Sequence, residues 1–263
     1  RFILGFFVMI GALMFLGCPI RMILRLGGGD LNALFGIAGF AGGIGFGTIF
    51  LKKGYSLQRT YALSKLESAM MPAIQVGLLV LVVAAPAFIF FSQKGPGAMH
   101  APWLISLAAG LVVGGLSQVS RLCTVGGFRD LFLFKKSILI FGYLAVLIGV
   151  FVVNISFGNF HLGFENQPIA HTDGLWNFLG MALAGFCSVL LGGCPLRQLI
   201  MTGEGNSDSA VTVLGLAAGA AFAHNFGLAA SGAGPTLNGE IAVGIGFVVA
   251  LIIAVVNTKR ANA

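Results

Sequence analysis

The chain is 263 residues long, 57% hydrophobic and 9% charged, with a mean hydropathy of +0.98 and a formal net charge of +7. So few charges cannot clothe a water-soluble domain, which makes lipid the solvent for most of the chain. The positive balance is not a nucleic-acid footprint either, because Lys and Arg fall in short loops and form no basic stripe interleaved with aromatics.

Eight apolar runs are long enough, or nearly so, to cross about 30 Å of hydrocarbon. In chain order they span 2–17, 31–51, 71–91, 102–119, 137–157, 175–192, 210–231 and 238–257. Forty glycines without a collagen period point to close helix packing or broken helices. Gly39, Gly43 and Gly47 in the second run, Gly110 and Gly114 in the fourth, and Gly215 and Gly219 in the seventh recur at intervals of four. That spacing lets helix backbones approach closely and reads as packing. The segment 52–70, with its Lys, Arg, Ser and Gln, reads as a solvated loop carrying one surface helix.

Placing residue 1 and every second loop in the cytoplasm puts twelve Lys and Arg inside and three (Arg21, Arg25, Lys94) outside. The excess orients the chain by the positive-inside rule, with a cytoplasmic C-terminus. The loop holding His161, Glu165, His171 and Asp173, which has no Lys or Arg, then faces outward.

Within this frame Gly17-Cys18-Pro19-Ile20-Arg21 returns as Gly193-Cys194-Pro195-Leu196-Arg197. Five crossings separate the copies, an odd number, so they enter from opposite faces, as in an inverted-topology repeat. The second half also carries Cys123 in Ser120-Arg121-Leu122-Cys123-Thr124-Val125-Gly126-Gly127-Phe128-Arg129-Asp130, two spans before its Cys-Pro motif. The first half has no counterpart to it. The expected architecture is therefore all-α and polytopic, with about eight transmembrane helices here and five plus five in a longer protein, two spans preceding Arg1. The chain divides into the C-terminal part of the first half-repeat (1–91), a linker (92–101) and the second half-repeat (102–263), within one membrane domain.

Proline suits the first position of a helix, so Cys18 and Cys194 are expected at helix N-caps. There the free N–H groups and the positive helix end lower a thiol pKa and attract an anion. Arg21 and Arg197, one turn on, add a permanent charge and a planar fork of donors. Such a site suits a small anion with a soft atom, its oxygens on the N–H groups and Arg, its sulfur or selenium on the thiol. Glycines after Cys123 permit a broken helix there too. Gly17, Pro19, Gly193 and Pro195 read as the structural support of the motifs. Arg129 and Asp130 read as a supporting ion pair, and His224-Asn225, a polar pair inside the seventh run, as a supporting element near the site. Cys187 reads as an apolar filler, while Glu204 and Asp208 read equally as helix caps or functional groups. The cysteines lack CxxC spacing, so no metal site or redox pair is expected, and no cofactor motif is present.

These motifs, with Gly192-Gly193-Cys194 running on to Gly203-Glu204-Gly205-Asn206-Ser207-Asp208, resemble the YeeE/YedE family and within it the YedE-type selenium transporter subgroup. The resemblance implies a multi-pass protein of the bacterial inner membrane that moves sulfur compounds such as thiosulfate, or selenium species, past cysteines at the pinch of an hourglass-shaped pathway. It implies Cys18, Cys123 and Cys194 as the thiols touching substrate, and a small cytoplasmic sulfurtransferase-like (SirA/TusA-like) partner. The expected function is transport and not an enzymatic reaction. Two rivals are a membrane carrier enzyme forming a Cys persulfide or selenenylsulfide, and a scaffold for a cytoplasmic sulfurtransferase.

Overall fold

A computed structural model describes residues 1–57, 65–84 and 101–261. Among these, regular structure is entirely helical, with two isolated bridges, Asp30 to Gly163 and Ser231 to Gly234. The helices are α1 (Phe2–Phe15), α2 (Pro19–Gly27), α3 (Asn32–Lys52), α4 (Lys65–Ala84), α5 (Trp103–Val119) and α6 (Thr124–Phe134). They continue as α7 (Ile138–Ser156), α8 (Gly174–Leu191), α9 (Pro195–Gly203), α10 (Ser207–Asn225) and α11 (Leu237–Ala261). The chain is an all-α, multi-pass membrane protein, with six described stretches long and apolar enough to cross a bilayer.

Three of the eight expected runs change on inspection. Those at 2–17, 102–119 and 175–192 each continue through a break into a short second helix, giving stretches Phe2–Gly27, Trp103–Phe134 and Gly174–Gly203. The run at 71–91 belongs to α4 as far as Ala84, and the rest of it lies outside the described residues, as do most of the 92–101 linker and part of the 52–70 loop. The run at 210–231 is a 19-residue helix, α10, that stops at Asn225 and is not among the six. His224 and Asn225 therefore stand exposed at a helix end, not inside a span.

Glycine explains how the central helices approach. A Cβ at Gly39 would strike the Phe178 carbonyl, and one at Gly43 the Ala182 carbonyl, so α3 lies backbone to backbone along α8. Gly215 meets the Phe2 carbonyl and Gly219 the Phe6 carbonyl in the same way, joining α10 to α1. Every residue in the second set stands 176 positions from its counterpart in the first, the offset that relates Cys18 to Cys194. Between the two pairs α1 runs antiparallel to α8, with Gly11 against Gly180 and Ala184, and Gly180 against Met14. The unit α1–α3 thus packs on α8–α10 with the contacts of one mirrored, head to tail, in the other.

Helices α5 and α7 turn apolar faces outward among the described residues, with Leu111, Leu116, Val119, Ile138 and Phe141 all more than 60% exposed, as suits a lipid-facing surface. Gly110 and Gly114, expected to be packing sites, have open space around them among the described residues.

Candidate functional site

All three expected cysteines occupy the N-cap of the second helix in a broken stretch. Cys18 caps α2 and Cys194 caps α9, each with extended backbone and Pro at the next position. Cys123 caps α6, its sulfur accepting from the Gly126 N–H at 3.3 Å. The Cys194 sulfur sits near the Arg197 N–H, short of a full capping bond, and beside the Thr124 hydroxyl. The thiols of Cys123 and Cys194 lie side by side. All the cysteines are free thiols.

Cys18 reaches the same interior through Tyr143, a residue the sequence reading missed. The Tyr143 hydroxyl donates to the Pro19 carbonyl at 3.4 Å, and the ring stands edge-on to Phe128 at 5.9 Å between centroids. Cys18 and Cys194 both lie in its neighbourhood, and it shares a buried cluster with Cys123 and Cys194. One signal was available: a lone hydroxyl-bearing aromatic in a run that is otherwise apolar across 138–153.

Exposure separates the thiols. Cys123 and Cys194 are 8% and 1% exposed, whereas Cys18 is only partly buried. Cys18 opens with Arg21 onto a cavity of about 770 Å³, bounded by α1 and by α10 with the loop that follows it. His224 lines this cavity, while Asn225 turns back to bond the Ala221 carbonyl. A cavity of about 510 Å³ lies at the other end of α1, among Tyr55, Arg129, Gln198, Asn206 and Asp208. Tyr55 is buried there with an unpartnered hydroxyl, and burial pushes its phenol pKa up.

The two motif arginines differ. Arg21 faces the Cys18 cavity with its Nε buried and unpartnered. Arg197 instead donates Nη1 to Gln118 Oε1 at 2.7 Å, which ties α9 to the end of α5. Arg129 and Asp130 form a local ion pair at 2.9 Å. Glu204 is the C-cap of α9, Asn206 is the N-cap of α10, and Asp208 pairs with Arg1 at 2.7 Å. Cys187 is fully buried in the core. Gly17 and Gly193 sit at the two breaks, each beside its own motif arginine.

The sequence reading also missed a buried polar network on the far side of α2. Arg25 donates Nε to Asp30 at 2.6 Å and Nη1 to the Phe15 carbonyl at 2.5 Å, with its guanidinium 4.0 Å over the Phe15 ring. Asp30 in turn accepts from the Asn32 backbone and side chain, each at 2.9 Å. His171, beyond α7, meets the Met14 carbonyl at 2.8 Å through Nε2. Burial holds its pKa below the usual imidazole value. Among the described residues no cluster of His, Cys, Asp and Glu could hold a metal ion.

A family model described as Sulphur transport matches residues 119–259, more than half of the chain. No curated protein matches it.

Proposed function

Because the chain belongs to the sulphur transport (YeeE/YedE) family, we propose that it conducts a small sulfur- or selenium-bearing anion, thiosulfate-like in its chemistry, inward across the bacterial inner membrane. One observation carries the reading: a motif thiol open to a large cavity and a buried pair of further thiols lie around the same tyrosine.

The anion enters the cavity at Cys18. Its oxygens take the free N–H groups at the start of α2 and the guanidinium of Arg21, while its soft atom meets the Cys18 thiol. Tyr143 flanks the step from Cys18 to Cys194, and Cys123 stands beside Cys194 to share the next contact. Each contact is a weak S–H···S or S–H···Se hydrogen bond, so the anion is held briefly at each thiol and released. Arg197, Gly17, Pro19, Gly193 and Pro195 set the two capping geometries. His224 on the cavity wall adds a polar group beside the entrance. No cofactor enters this scheme.

The excess of Lys and Arg on the face bearing Arg1, Lys52 and Lys53 supports a cytoplasmic placement of that face and of the C-terminus, with the Cys18 cavity turned outward. The basic loops there suit a small sulfurtransferase-like acceptor. Division into 1–91, 92–101 and 102–263 belongs to the same proposal.

The test is uptake of labelled thiosulfate and selenium compounds by cells carrying the full-length protein, wild type or with Cys18→Ala or Cys194→Ala. We expect uptake to fall at least tenfold in both variants; undiminished uptake in both would sink the relay. A covalent carrier enzyme would leave a persulfide or selenenylsulfide adduct on a cysteine, visible by thiol trapping and mass measurement after turnover.

A further inference from the structure

Arg21 is a wall shared by two cavities. Besides the one holding Cys18, it lines a second cavity of about 460 Å³ on the same face, together with Arg25, Asn154, His161, Asn166 and Gln167. No thiol lines this second space; two guanidiniums, the Asp30 carboxylate and neutral amide side chains do.

The donors are unsatisfied. Arg25 is 7% exposed and uses Nε and Nη1 within the protein, yet its Nη2 has no partner. Nε of Arg21 is likewise buried and unpartnered. Asp30, the carboxylate in the wall, is engaged through one oxygen by Arg25 and through the other by two bonds from Asn32. Two guanidiniums against one carboxylate leave the wall positive. A wall with a net positive charge that carries two guanidiniums is matched by an oxyanion, whose oxygens fit the planar fork. The volume admits a tetrahedral oxyanion with part of its hydration shell.

We propose that this cavity is an oxyanion antechamber. It takes sulfur oxyanions by their oxygens alone, sulfate and thiosulfate alike, and passes them across Arg21 to the cavity where Cys18 reads the sulfur atom. The hand-over rests on the transport reading above; the binding does not. Recognition is thus divided, with charge and oxygen geometry admitted first and soft-atom chemistry tested second.

Calorimetric titration of the purified full-length protein with sodium sulfate and sodium thiosulfate tests it. The wild type binds both anions. Cys18→Ala keeps sulfate affinity within about twofold and loses any extra affinity for thiosulfate. Arg25→Gln combined with Asp30→Asn, which keeps the shape of the pair and the net charge of the wall but takes away the Arg25 guanidinium fork, weakens sulfate binding at least tenfold. Should that variant fail to fold by circular dichroism and gel filtration, Asn166→Asp replaces it. Asn166 is exposed and has a positive φ that Asp tolerates, and a negative charge on the rim is expected to weaken sulfate about tenfold. A wild type that binds no sulfate, or a folded wall variant that binds it undiminished, overturns the antechamber. Neither result depends on uptake, so the antechamber and the thiol relay can fail separately.

Discussion

The two motif arginines begin alike and end in different work. Arg197 is held by Gln118, while Arg21 borders two cavities and keeps a buried donor without a partner. What differs is the neighbour: α5 comes within reach of α9, and α2 faces α7 and the loop beyond it. Residue-level chemistry also sets a pH dependence. His171 is buried against Met14 and holds its proton less tightly than in water. The unfolded chain therefore binds more protons than the folded one as pH falls below about 6.5, the ordinary imidazole value, so stability is lost in that direction. Thermal unfolding in detergent from pH 8 to 5 should show Tm falling below pH 6.5. The Met14 acceptor is served equally by an amide, so His171→Gln should flatten that part of the slope. A slope unchanged in the variant would assign it to another group.

At the scale of elements, the stripe of small residues on α3 is a contact and that on α5 is not. Gly43 faces the Ala182 carbonyl, whereas Gly114 faces open space among the described residues. Gly43→Ala forces two backbones apart and is expected to cost about 1–3 kcal/mol, the range for overpacking a tight interface. Gly114→Ala removes a helix-weakening glycine and should leave Tm unchanged or raise it slightly, by about 0.5–1 kcal/mol of stability. Equal effects of the two changes in parallel melts would contradict the packing of α3 on α8. The breaks before α2, α6 and α9 follow a different rule. Leu16 and Arg121 adopt positive φ without being glycine, and Gly192 does so before Cys194. These turns end one helix and free the N–H groups of the next, which is what places each sulfur at a helix start.

For the whole molecule, the arrangement is asymmetric in access although its halves share contacts. The Cys18 cavity is open on one face, and the Cys123–Cys194 pair is closed off. A membrane-impermeant maleimide should therefore modify Cys18 first, Cys123 and Cys194 much more slowly, and Cys187 only on unfolding. Mass spectrometry of a labelling time course on intact cells and on inverted vesicles reads both the order and the sidedness. Labelling of Cys194 ahead of Cys18 would reverse the access described.

Composition alone determined that this chain lives in lipid, because nine charged residues in a hundred leave no other solvent for it, and the long unbroken apolar runs made it helical. The repeated pentapeptide determined the capping cysteines, since Pro after Cys marks a helix start by local sterics whatever surrounds it. The spacing of Gly39, Gly43, Gly215 and Gly219 was legible as packing, but so was that of Gly110 and Gly114, which packs against nothing described. A glycine stripe states that a close approach is allowed, not that a partner arrives. Tyr143, Arg25 and His171 were illegible for the same reason: each acts through a residue more than nine positions away, on another helix or across a break. Only the tertiary structure decided that Cys123 and Cys194 would touch, that Tyr143 would have Cys18 and Cys194 near it, and that Arg21 would border two cavities. Such contacts depend on how far helices slide and turn against one another, and that is set by the summed packing of all of them.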